Sequence, residues 1–131
     1  MKRIFTLTVA TLITVATVAQ QPYKVYCALS ARHSETSTTA ISRVEIDYGQ
    51  ERLVRNYLVD ESGKPLKLNS ITAVANYMSK LGWELEDSYV VGEDIDRCVW
   101  IMSKYVNSDE EITDGFTTRW MLENNGPHSV K

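Results

Sequence analysis

Two thiols, Cys27 and Cys98, are the most chemically distinctive side chains in this 131-residue chain. Each lies in a segment that reads as a β-strand, which leaves two roles open. If their strands are neighbours, with Cα atoms about 5.5 Å apart, the thiols can form a disulfide across the domain. Such a bond stabilises by about 3–4 kcal/mol in the chain-entropy picture. Left as buried thiols, they fill space as small hydrophobes. A nucleophilic role needs a neighbouring base, and the two histidines do not supply one in a recognisable motif: His33 sits in a polar run and His128 near the end of the chain.

Carboxylates are the next group able to do chemistry. Glu93, Asp94 and Asp96 cluster in one turn, and Asp109, Glu110, Glu111 and Asp114 in another. Oxygen ligands at close spacing suit calcium, but alternating acids, a central glycine and a closing glutamate never occur together here, so solvated acidic turns are the simpler reading. For Asp109 to Glu111 there is a further explanation, since acids in a first helical turn complement its dipole. No acid pair stands out as a hydrolytic couple. Zinc needs more His and Cys than this chain places together, and no serine sits on a Gly-x-Ser-x-Gly turn. The six glycines are spread singly, so there is no phosphate-cradling loop and no cofactor or metal is expected. Among the aromatics, Trp83 and Trp100 fall on apolar faces and belong to the core. Tyr26, Tyr57 and Trp120 lie on polar faces or in irregular stretches and are the candidate binding residues.

Composition narrows the class. The formal charge of −3 and a pI near 5.4 argue against a nucleic-acid partner, which calls for clustered basic surface. With 24% charged residues the chain is not a polytopic membrane protein. These totals average two unlike parts. Met1-Lys2-Arg3 is a short basic start, and Ile4 to Ala19 carries no charge, the pattern of a secretory signal peptide. That run is shorter than the roughly 20 residues of a spanning helix, so no stable membrane span is expected once it is removed. Small residues at Thr17 and Ala19 place the cut before Gln20. Cys27 follows Lys24-Val25-Tyr26, which does not suit lipid attachment. Loss of residues 1–19 removes Lys2 and Arg3 and takes the net charge from −3 to −5.

The elements that position these residues can be read in order. Pro22 to Ser30 alternates, with Tyr23, Val25, Cys27 and Leu29 on one side. Arg32 to Thr39 is a polar loop. Ile41 to Tyr48 alternates again, with Val44, Ile46 and Tyr48 inward, and Gly49-Gln50 turns into a third strand over Arg52 to Val59. Asp60 to Gly63 marks another turn before a short strand at Leu66 to Leu68. Ser70 can cap a helix whose apolar stripe is Ile71, Val74, Ala75, Met78 and Leu81, and Gly82 ends it. Trp83, Leu85, Tyr89 and Val91 then share alternate positions of a strand that turns through Gly92 to Asp96 into Arg97 to Val106. That last strand is apolar on both faces and therefore central. Ser108 to Glu111 reads as an acidic helix start cut short by Gly115, and Asn124 to Lys131 as a frayed tail.

At the helix–strand junction, Leu81-Gly82-Trp83-Glu84-Leu85 resembles the Gly-Trp-Glu-Leu signature of small uncharacterised bacterial domains. Together with Val44-Glu45-Ile46-Asp47-Tyr48-Gly49-Gln50, Leu58 to Lys64 and Asn76 to Trp83, it is similar to a family of short secreted proteins common in Bacteroidetes. The resemblance runs from about Tyr23 to Phe116. It implies export and an α+β fold, and it brings no catalytic residues.

The expectation is thus a signal peptide over residues 1–19, one α+β domain over 20–118 and a C-terminal tail over 119–131. The domain is an antiparallel sheet with one main helix, Ser70 to Leu81, packed on it, and room for a short C-terminal helix. The function expected is a non-enzymatic interaction module that binds a protein or a glycan outside the inner membrane, in the periplasm or beyond the cell. A small enzyme or enzyme inhibitor with an unrecognised site, and a calcium-stabilised envelope component, are the alternatives. Intact-mass measurement of the exported protein should give a chain beginning at Gln20; the mass of all 131 residues in that fraction would refute the processing.

Overall fold

The computed structural model describes residues 21–32, 41–93 and 97–127. The expected signal peptide over 1–19, residues 33–39 of the expected polar loop, and residues 94–96 of the expected turn lie outside them. Among the described residues six strands, two α-helices and a 3-10 turn follow one another: β1 (Tyr23–Arg32), β2 (Ile41–Ser42), β3 (Glu45–Asp47), β4 (Lys67–Leu68), α1 (Ile71–Lys80), β5 (Glu84–Val91), β6 (Arg97–Val106), the 3-10 turn (Asp109–Thr113) and α2 (Arg119–Asn124). An antiparallel four-stranded sheet has the order β3-β1-β6-β5, and β2 pairs with β4 in a separate ribbon. The fold is therefore α+β, with one main helix against one face of the sheet.

The first and last strands form the longest pairing. β1 and β6 run antiparallel over their full length, from Tyr23 opposite Val106 to Arg32 opposite Arg97. Opposed residues in such a ladder point to the same side. Leu29 faces Trp100, Cys27 faces Met102 and Ala31 faces Cys98, and all six are buried. Val74 and Met78 of α1 close over this inner face together with Ile46, Leu58 and Trp83. β6 is central, as its two apolar faces imply.

The helix begins and ends by identifiable chemistry. Ser70 has extended backbone, and its hydroxyl accepts from Ala73 N at 3.1 Å. At the other end Gly82 takes φ +90°; its N–H donates to Ser79 O at 3.1 Å and that of Trp83 to Met78 O at 3.1 Å. This pair of bonds is the Schellman arrangement, which wants glycine at the left-handed position and an apolar residue next. Trp83 meets the second requirement and is 2% exposed. The Gly-Trp-Glu-Leu string is thus a helix stop, an anchor and a strand start in succession. Trp83 Nε1 is buried without a hydrogen-bond partner.

Several expected elements take other forms. The strand over Ile41 to Tyr48 is divided at Arg43, whose φ of 61° turns Ile41–Ser42 towards β4 and leaves Glu45–Asp47 on β1. The expected strand over Arg52 to Val59 does not form. Arg55 has φ 50°, and only Tyr57, Leu58 and Val59 make single bridges, to Glu45, Thr118 and Pro65. Alternation misplaces the side chains of β5, because the pairing with β6 shifts register between Leu85 and Asp87. Glu86 is the extra residue, so Tyr89 and Val91 do not share Leu85's face. The acidic segment is a 3-10 turn rather than an α-helix, with Ile112 buried. Finally, residues 119–124, placed in the tail from sequence, are helical: Thr118 Oγ1 accepts from Met121 N at 3.3 Å, and Met121 packs into the core.

Substitutions should separate these contributions in denaturant melts. Trp83→Ala should cost about 3–5 kcal/mol, and Trp83→Phe markedly less, because it removes the orphaned N–H along with part of the ring. Ser70→Ala should cost about 1 kcal/mol, while exposed Thr72→Ala stays within about 0.5 kcal/mol. Equal losses for Trp83→Phe and Trp83→Ala would contradict the role given to the indole N–H.

Candidate functional site

The register of β1 and β6 decides between the two roles of the cysteines. Cys27 lies opposite Met102 and Cys98 opposite Ala31, so the two are four positions apart along the ladder, about 13 Å at strand rise. A disulfide between them needs Cα atoms at less than half that distance. The candidate Cys27–Cys98 bond is therefore replaced by two buried thiols that fill the inner face. Burial pushes the Cys27 thiol up to about 12, well away from the range of a reactive cysteine. Lys104 extends along the same face. Its Nζ donates to the Glu111 carbonyl at 2.7 Å and stands 4.8 Å from the Trp83 ring centroid, and burial holds it below the usual lysine range.

Two acidic groups of the C-terminal turn, Asp109 and Glu111, are engaged internally. Tyr23 Oη donates to Asp109, whose carboxylate pushes the phenol up to about 12. The Glu111 carboxylate accepts from Asn107 N at 2.9 Å. Glu93 is exposed, and Asp94 and Asp96 lie outside the described residues, as do His33 and His128. Among the described residues no three His, Cys, Asp or Glu side chains are placed to hold a metal ion. No described helix is long and apolar enough to cross a membrane.

Of the three candidate binding aromatics, Tyr26 stands exposed at 56% on the outer face of β1, with Lys24 Nζ 5.5 Å from its ring centroid. Tyr57 and Trp120 belong instead to the joint between the irregular segment and α2. Tyr57 is half-buried with the Arg43 guanidinium 4.7 Å from its ring centroid, and its carbonyl accepts from Arg119 N at 3.1 Å. Trp120 is half-buried, and its backbone N–H donates to Arg55 O at 2.9 Å.

What the sequence did not single out is the outer face of the sheet as a surface. Register brings Tyr26, Ala28 and Ser30 of β1 beside Ser103, Ile101 and Val99 of β6, and these beside Glu84, Asp87 and Tyr89 of β5. Tyr105, 70% exposed, extends the row at one end. At the β3 side the segment after Gln50 rises over this face and makes a cleft of about 330 Å³ lined by Ala28, Ser30, Glu45, Asp47, Leu53, Asn56 and Arg97. Arg97 Nη1 donates to Ser30 Oγ at 2.9 Å and to Glu45 Oε2 at 3.1 Å. Asn56 Nδ2 donates to Ile46 O at 3.0 Å. On the other side Glu86 accepts from Ser103 Oγ and pairs with Lys24 Nζ at 2.9 Å. The lysine and the serine hydroxyl hold its carboxyl below the usual range. These charges are committed to each other. The arrangement suits recognition by shape, aromatic contact and hydrogen bonding. Comparison with family models, curated proteins and solved structures finds no match to the chain.

The thiol assignment has a direct check. Neither Cys27 nor Cys98 should react with iodoacetamide at about pH 8 until the protein unfolds, and reductant should leave the melting temperature unchanged. A melt lowered by reductant, or a peptide pair joined through both cysteines, would restore the disulfide.

Proposed function

We propose that this protein is an exported, non-enzymatic binding module that engages a macromolecular partner through the outer face of its sheet. The observation that carries this reading is the asymmetry of the sheet. The inner face is closed by α1, Trp83 and Leu58 over β1 and β6, with only Leu85 and Val90 of β5 exposed at its margin, whereas the outer face holds Tyr26, Tyr105, Tyr89 and Val91 in the open around half-buried Val99 and Ile101. Exposed aromatic and aliphatic side chains grouped on one surface are the usual composition of an interaction patch. The signal-like start and the resemblance to short secreted proteins support a partner met outside the inner membrane. Of the two partner classes, the apolar share of the face favours protein over glycan, because in the cleft Arg97 is already bonded to Glu45 and Ser30, and Asn56 and Asp47 to backbone groups.

Site-specific photo-cross-linking in the producing cells tests this. A benzophenone side chain at Tyr26, Tyr105 or Tyr89 should give discrete adducts to one partner, while the same group at Thr72, on the exposed side of α1, should not. Equal labelling at all four positions, or adducts from Thr72 alone, would overturn the assignment.

A further inference from the structure

The four-stranded sheet has two edges, and they are treated differently. β3 is three residues long and is flanked by the following segment, through the bridge from Glu45 to Tyr57 and the bond from Ile46 N to Asn56 O at 2.9 Å. β5 is eight residues long, lies at the end of the sheet order, and every one of its residues is exposed. Four of the ten large apolar side chains exposed among the described residues are on this strand: Leu85, Tyr89, Val90 and Val91, at 46–57%. Natural edges are usually blunted by lysine, proline or distortion. β5 has neither lysine nor proline, and its irregularity is confined to the start, leaving Asp87 to Val91 in regular pairing with β6.

The charge distribution along the edge selects the occupant. Glu84, Glu86 and Asp87 occupy one half and the apolar residues the other. Lys24 neutralises Glu86, while Glu84 and Asp87 make no salt bridge among the described residues. A second copy aligned over the full strand fits poorly in either direction. Antiparallel self-pairing over the full strand would set Glu84 against Val91 and Glu86 against Tyr89, and parallel self-pairing would stack like carboxylates on each other. A complementary strand carries β-branched or apolar residues opposite Tyr89–Val91 and Lys or Arg opposite Asp87 and Glu84.

We propose that β5 takes an extended segment of a partner protein by antiparallel strand addition, the segment running from an apolar half to a basic half. Main-chain hydrogen bonds to the edge supply part of the affinity, and the two charged positions fix direction and register. This inference rests on the binding reading above and names its mode.

The test uses the exported protein as its cells process it and a probe peptide, acetyl-Thr-Ile-Val-Val-Thr-Lys-Thr-Lys-amide, with an analogue bearing Glu for both Lys. The first peptide should bind and slow amide exchange across residues 84–91. Glu84→Lys with Asp87→Lys should weaken it about tenfold and transfer binding to the Glu-bearing analogue, a gain that a misfolded variant cannot produce. The proposal is overturned by absence of protection in 84–91, by affinity indifferent to the charge reversal, or by a dimer that already protects β5 without peptide. Cross-links from Tyr26 and Tyr105 without β5 protection would defeat strand addition and leave the binding reading standing; loss of both would remove both.

Discussion

The pairing of β1 with β6 holds the two ends of the domain together and sets where every other element can go. It joins residues about 75 positions apart in the chain, so its loop-closure cost is recovered only through the inner-face packing that it creates. Leu29 against Trp100 and Cys27 against Met102 make that packing. A slip of one residue would send these side chains to solvent and bring Lys24, Tyr26 and Arg97 inward, so the register is strongly determined. The same register keeps the two thiols apart. Their small volume is what the inner face uses: Cys98 lies opposite Ala31, where two small residues leave room for their larger neighbours.

The second fixed point is the end of α1. Three backbone N–H groups, those of Leu81, Gly82 and Trp83, turn back onto the carbonyls of Met78 and Ser79, so the chain leaves the helix in one direction. Trp83 is thereby placed beneath Lys104 and against the inner face before β5 starts. Gly115 is fitted to the same corner: with φ +90°, a Cβ on it would stand 2.6 Å from Leu81 Cδ2. The C-terminal segment therefore closes against the helix end, and Phe116 reaches Tyr48 at a ring-centroid distance of 5.8 Å.

Features written in local chemistry were legible from sequence: the Ser70 cap, the Gly82 stop, the alternation of β1 and β3, and the two-sided apolarity of central β6. Features set by tertiary contact were not. Arg52 to Val59 has the composition of a strand, yet its Leu58 and Val59 are buried between Val44, Thr117 and the Pro65 turn, with backbone bonds to both flanks, and among the described residues no strand pairs with Arg52 to Arg55. Thr118 and Met121 carried a usable signal for α2, a cap residue three before an apolar one, but a six-residue helix gives no periodicity to detect. The binding aromatics divided on the same ground. Tyr26 could be placed from alternation alone, whereas Tyr57 and Trp120 depend on a joint that only the folded chain creates.

The outer face owes its character to the one residue that breaks the pattern of β5. Without the register shift at Glu86, alternation from Leu85 would carry Asp87, Tyr89 and Val91 onto the inner side. The shift instead sets Asp87 opposite Ile101, Tyr89 opposite Val99 and Val91 opposite Arg97, all on the outer side. A bulge of this kind commonly re-aims side chains near a functional surface. Here it does so twice, because the extra residue itself meets the buried Ser103 hydroxyl and Lys24. That contact satisfies a polar group which would otherwise be stranded in the sheet. A single inserted glutamate thus both makes the outer face chemically tolerable and delivers Tyr89 and Val91 to it, which ties the composition of the proposed binding surface to the geometry of the edge beside it.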